Sequence, residues 1–124
     1  MSEETSQIRF TGDLVLDLPD ADYWLEGSAP ALRQAALTIG HIEVPHTAAA
    51  SSLEGDIPAP GAPLENIASL HRAGFDCVTL AGNHIADCGA KGIRDTISEL
   101  HRNSVVCTGR AAHLKRPGHR SFRM

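Results

Sequence analysis

An amide, an imidazole and a carboxylate stand close together in Thr79–Gly89, TLAGNHIADCG, as Asn83, His84 and Asp87. The stretch opens as an apolar run suited to a buried strand and breaks at Gly82. A turn that only reverses the chain needs a glycine and a helix cap. Asn83 and His84 exceed that need. Two other apolar runs carry comparable groups: IRFTGDL is interrupted by Gly12-Asp13, and LTIGHIEV carries His41 and Glu43 two residues apart, on one face of a strand. Carboxylate oxygens, an amide carbonyl and an imidazole together suit Mn²⁺, Mg²⁺, Fe²⁺ or Zn²⁺. Each residue also has a plainer role open to it. Asp13 could be a solvated turn residue, Glu43 an exposed strand end, His41 a hydrogen-bonded core histidine and Asp87 the cap of the following helix. The coincidence at three strand ends favours a metal site over four separate accidents.

The elements that must position these groups follow from hydrophobic period and punctuation. Ile8–Leu18 reads as a strand interrupted at Gly12-Asp13, and Pro19 to Gly27 as a polar connection. Ser28 and Pro30 start a short helix, APALRQAA. Leu37–Val44 is a second strand closed by Pro45, and residues 46–63 form a long loop rich in Ala, Ser and Pro. Residues 63–73 read as a helix with Gly74 just beyond its end, and Phe75–Leu80 as a third strand. Asp87 is placed to cap a helix from about Ala90 to Arg102 with Ile93, Ile97 and Leu100 as its apolar stripe, before a last strand over Ser104–Thr108. The order β-α-β-α-β-α-β predicts an α/β fold with a mostly parallel sheet. Ligands of such sheets bind outside the carboxyl edge. Strands there lie about 4.8 Å apart, which lets Asp13, Glu43, Asn83 and His84 converge.

Composition is that of an ordinary globular domain: 124 residues, 42% hydrophobic and 21% charged. Aromatic residues are few (Phe10, Tyr23, Trp24, Phe75 and Phe122), so the core must be aliphatic. No apolar run reaches the roughly 18 residues of a membrane span, and the polar, acidic start lacks the chemistry of a secretory signal. Both point to a cytoplasmic protein. Cys77, Cys88 and Cys107 have no CxxC spacing, which argues against a disulfide framework or zinc knuckle. Cys77 and Cys107 read as small core residues, and His46, His71, His101 and His113 as surface ones. All fifteen acidic side chains fall within residues 1–109, whereas residues 110–124 hold five basic and no acidic ones. That basic ending supports a second reading: a non-catalytic α/β binding module whose tail contacts nucleic acid or an anionic membrane. The tail lacks aromatic interleaving and any recognisable motif, which argues against nucleic acid.

The blocks FTGDLVLD, LTIGHIEVPHT and AGFDCVTLAGNHIADCGAKGIRDTISEL resemble, in order, those of the bacterial capsule-synthesis proteins of the poly-γ-glutamate capsule biosynthesis type. That family is related to the calcineurin-like metallophosphoesterases. The resemblance covers residues 8–109 and implies the N-terminal half of a metallophosphoesterase-like αββα sandwich. It implies metal ligation by Asp13, Glu43 and Asn83, with one or two divalent ions. It places His84 beside them as the catalytic group, donating to a phosphoryl-like oxygen or a leaving group. His41 stands where the family pattern has Asn, and it either replaces a ligand or supports Glu43; Asp87 is a further supporting candidate. The implied substrate is a capsule polymer, a phosphoester or a γ-glutamyl amide. The resemblance also implies a chain about twice this length, so a truncated or frame-shifted product is expected, with residues 110–124 unrelated to the family. An uncovered sheet edge would then favour a homo-oligomer.

Overall fold

The computed structural model describes residues 4–51 and 61–109. Expectations for the middle of the 46–63 loop, for the ending at 110–124 and for His113 lie outside the described residues. The elements run β1 (Ile8–Leu14), α1 (Ala21–Glu26), α2 (Ala29–Arg33), β2 (Leu37–Ile42), a 3-10 turn (Leu64–Ile67) leading into α3 (Ala68–Ala73), β3 (Cys77–Thr79), α4 (Gly89–Arg102) and β4 (Val106–Thr108). The four strands form one sheet in the order β1-β2-β3-β4, and every pairing is parallel. The predicted α/β alternation with a parallel sheet is therefore what the chain adopts.

Sequential order with right-handed connections puts every crossover on the same face of the sheet. Burial agrees. On the helix side Thr38, Ile42 and Val78 are wholly buried, and Ile42 and Val78 join Leu25, Leu32, Ile67, Leu70 and Leu100 in one core. The opposite phase of each strand remains partly or largely exposed, with Ile8, Phe10 and Val106 all more than half accessible.

The stretch Pro19–Gly27 is not merely a polar connection, because it contains α1. Ala21 and Leu25 of that helix enter the core, whereas Tyr23 and Trp24 stay outside in edge-to-face contact at 5.3 Å. Six residues with two inward positions are too few to display a helical period. Tertiary contacts hold α1: Arg72 of α3 donates to both carboxylate oxygens of Asp22 at 2.9 and 2.7 Å, which keeps the Asp22 carboxyl below its usual range. Asn66 serves the same end from beneath, donating to the carbonyls of Leu16 and Leu18 at 2.8 and 2.9 Å. Helix α3 ends at Gly74, whose φ of 102° is a left-handed conformation that suits glycine. Within the described residues no helix is long and apolar enough to cross a membrane.

Candidate metal centre

The first strand holds an irregularity that decides where Asp13 points. Phe10 pairs with Ile39 and Asp13 pairs with His41, so three steps along β1 match two along β2. In an unbroken strand, residues three apart face opposite sides of the sheet. The one-residue bulge returns Asp13 to the face that carries Phe10 and Ile39. The Gly12-Asp13 interruption seen in the sequence is this bulge, and glycine is at home in one.

On β2, His41 faces the same side, and Glu43 follows two residues later just past the strand end. Nε2 of His41 lies 2.8 Å from Oε2 of Glu43 and 4.0 Å from Oδ1 of Asp13. One donor atom from each of the three residues fits within a span of 4.8 Å. Asp13 is largely exposed, whereas the His41 and Glu43 side chains are each 17% accessible. The cluster thus sits at the carboxyl edge of the sheet, on its open face.

The third strand closes the cluster from the side with a residue that has no side chain. A Cβ built on Gly82 would lie 2.7 Å from Nε2 of His41 and 2.9 Å from Oε2 of Glu43. Only glycine lets the chain pass this close, so Gly82 belongs to the cluster although sequence reasoning singled it out only as a strand breaker.

Asn83 follows directly, exposed to solvent, and makes no hydrogen bond among the described residues. The structure brings Asp13, His41 and Glu43 together, and Asn83 is one residue away along the chain from the glycine that touches them. His84, part-exposed, lies in the same turn, and its Nδ1 donates to Oδ2 of Asp87 at 2.7 Å. Asp87 is fully buried.

That pairing corrects the expectation that Asp87 caps α4. The N-cap position is held by Cys88, whose side chain makes no capping bond, and Asp87 turns its carboxylate back to His84. The bond orients the imidazole, with the Nδ1 proton directed at Asp87.

His46 is a second correction. It is not a surface residue but is wholly buried, behind the strand ends. Its backbone N–H donates to Oγ1 of Thr96 on α4 at 2.8 Å, and its Nδ1 donates to the Pro63 carbonyl at 2.8 Å. Nε2 is buried without a hydrogen-bond partner among the described residues. Burial pushes the His46 imidazole below its usual range, outweighing the Pro63 carbonyl and the charge of Glu65. Its neighbour Thr47 donates to Asp95 at 2.5 Å, and Lys91 meets the same oxygen at 2.7 Å. These bonds tie the segment after Glu43 to α4.

Burial and the adjacent Asp87 charge push the Cys88 thiol up, and burial with the nearby Cys77 does the same to Cys107. Cys77 and Cys107 are part-buried rather than fully internal.

Two carboxylates and an imidazole fit a divalent ion of intermediate softness, and Gly82 leaves room beside them. Three protein donors also leave coordination positions for a substrate, as catalytic sites do and closed structural sites do not.

Comparison with known families matches the chain over residues 7–120 to the bacterial capsule synthesis protein PGA_cap. The match begins one residue before β1 and continues past Gly109. A search of the curated proteins found no match.

Proposed function

The chain belongs to the bacterial capsule synthesis protein family, and from that premise we propose that it binds a divalent cation and acts as a hydrolase-like domain on capsule polymer. The observation that carries this reading is the convergence of Asp13, His41 and Glu43 within 4.8 Å at the carboxyl edge of a parallel sheet. Asp13 and Glu43 would supply charge to neutralise the cation, and His41 would exchange its bond to Glu43 for a place beside it. The cation would supply Lewis-acid polarisation of the scissile group.

His84 is the proposed proton carrier. Asp87 accepts from Nδ1 and orients the ring, and Nε2 is the nitrogen that would donate to a leaving atom. Asn83, exposed in the same turn, offers a carboxamide to the cation or to the polymer. A γ-glutamyl amide or a phosphoester is the bond this arrangement suits.

The test is chain scission of poly-γ-glutamate, followed by size-exclusion chromatography, beside hydrolysis of a p-nitrophenyl phosphodiester, each with Mn²⁺ and with EDTA. Turnover of either substrate that requires Mn²⁺ and is lost in Asp13→Ala and His84→Ala supports the reading. Metal-independent turnover, or none on both substrates, overturns it.

A further inference from the structure

Two short limbs of the chain meet behind the strand ends, residues 44–47 leaving β2 and residues 61–63 entering the 3-10 turn. His46 and Ala62 pair as an isolated parallel bridge. The Thr47 N–H donates to the Ala62 carbonyl at 2.9 Å, and the Ala62 N–H donates to the Pro45 carbonyl at 2.8 Å. The imidazole spans the same junction, donating from Nδ1 to the Pro63 carbonyl at 2.8 Å. Helix α4 holds the first limb from the other side. Oγ1 of Thr96 accepts from the His46 N–H at 2.8 Å and donates to the Gly92 carbonyl at 2.8 Å. A Cβ built on Gly92 would stand 3.3 Å from Cγ2 of Thr47 and 3.4 Å from Cβ of Pro45, so helix and limb lie in near contact. Val44, Pro45, His46, Thr47, Ala62 and Thr96 are all buried.

Of those residues only His46 can ionise. With the Nδ1 proton directed at Pro63, Nε2 carries the lone pair, and it is buried without a hydrogen-bond partner among the described residues. A proton added there meets no acceptor, and an unpaired buried charge is strongly unfavourable. The surrounding charges do not relieve that cost. Glu65 of the 3-10 turn favours the protonated ring, but it is exposed, and burial of the imidazole outweighs it. Lys91 and Asp95 of α4 pair with each other at 2.7 Å and reach the limb through Thr47. Asp87 is bonded to His84, and Glu43 of β2 to His41. The Cys88 thiol beside Gly92 is pushed up and stays neutral.

We propose that this junction is a proton-sensitive clasp: protonation of His46 parts residues 45–47 and 61–63 from each other and from α4, while the sheet and its helical core stay folded. Opening breaks only the bonds of the junction and exposes far less apolar surface than unfolding does, so it is a sub-global event of lower cost. The open ring takes up its proton near the ordinary histidine value of about 6.5, whereas the closed one resists. The clasp is therefore fully shut above that pH and loosens as pH falls, its open population rising at most about 25-fold between pH 7 and pH 5. Only Val44 separates Glu43 from residue 45, so opening also loosens the end of β2 that carries the carboxyl-edge cluster. The clasp itself does not depend on metal binding there.

Native-state hydrogen exchange of the full chain at pH 7 and pH 5, corrected for intrinsic rates and run across low urea concentrations, tests this. The Thr47 and Ala62 amides should open about 10–25-fold more often at pH 5, through a fluctuation that urea scarcely promotes. The Leu80 and Phe75 amides, bonded to Thr108 and Leu70, should stay better protected at both pH values and exchange through a urea-dependent opening. His46→Asn should abolish the pH response of Thr47 and Ala62. Clasp and core amides that share one urea-dependent opening overturn the proposal, as does a pH response that is absent in the wild type or persists in His46→Asn. Should His46→Asn fold poorly, the ring ¹⁵N shifts of the wild type at pH 5 decide. A neutral ring with bare Nε2 in the closed form supports the clasp. An imidazolium alongside protected Thr47 and Ala62 amides overturns it.

Discussion

Gly82→Ala perturbs the candidate site without removing any donor atom. The added Cβ would lie 2.7 Å from Nε2 of His41 and 2.9 Å from Oε2 of Glu43, so the imidazole must retreat by about 0.7 Å to reach an ordinary contact. The glycine backbone is not left-handed here, so alanine meets no torsional strain. Both displaced groups lie at the surface edge of the sheet and can swing outward, which puts the folding cost near the low end of overpacking, about 1 kcal/mol. A metal site is less forgiving, because ligand distances are held to about ±0.2 Å. A shift several times larger should weaken Mn²⁺ binding about 10–100-fold, or about 1.4–2.7 kcal/mol. Isothermal titration with Mn²⁺ reads the affinity, and urea unfolding of the metal-free protein reads the stability. Gly27→Ala serves as the control, since a Cβ there meets nothing within 4 Å. Equal Mn²⁺ affinity in Gly82→Ala and wild type would refute the claim that His41 and Glu43 hold the cation beside Gly82.

Three further outcomes follow from the same geometry. Burial holds the His46 imidazole below its unfolded value, so the unfolded chain takes up a proton first as pH falls; stability present above about pH 6.5 should decline by at most about 1.4 kcal/mol per pH unit below it, and His46→Asn should flatten that slope in denaturation at pH 7 and pH 5. Asn66→Ala leaves the Leu16 and Leu18 carbonyls without their donor and should cost about 2–4 kcal/mol in urea unfolding, whereas a loss below about 1 kcal/mol would show the loop re-pairing with water. The His84 Nδ1 proton should give a downfield NMR resonance that persists in Asp87→Asn and disappears in Asp87→Ala; survival in the alanine variant would mean Asp87 does not hold the ring.

Much of the architecture was legible because alternation of apolar runs with helical periods is a local property. The parallel sheet and the placement of Asp13 and Glu43 at strand ends follow from it. The bulge was not legible in full. Gly12 marks an interruption, but whether Asp13 returns to the face of Phe10 depends on pairing with β2, a contact between residues far apart in sequence. The same holds for Gly82, whose importance lies in what passes beside it rather than in its own turn. Helix α1 escaped detection because six residues carry too little period, and its hold comes from Arg72. His46 looked like a surface residue since its burial depends on Thr96 and Pro63, which fold back onto it from elsewhere. Asp87 has the composition of a helix cap at a position where a cap would serve; a histidine three residues earlier competes for it and wins, because a charge-assisted bond in a buried site is stronger than a capping bond.

The central claim is that Asp13, His41 and Glu43 form a cation site, and equilibrium dialysis of the purified chain against Mn²⁺ tests it most directly. Specific, saturable uptake that falls at least tenfold in affinity in both Asp13→Ala and Glu43→Ala, with folding intact by circular dichroism, is the predicted result. No uptake by the wild type, or uptake that neither substitution reduces, would contradict it.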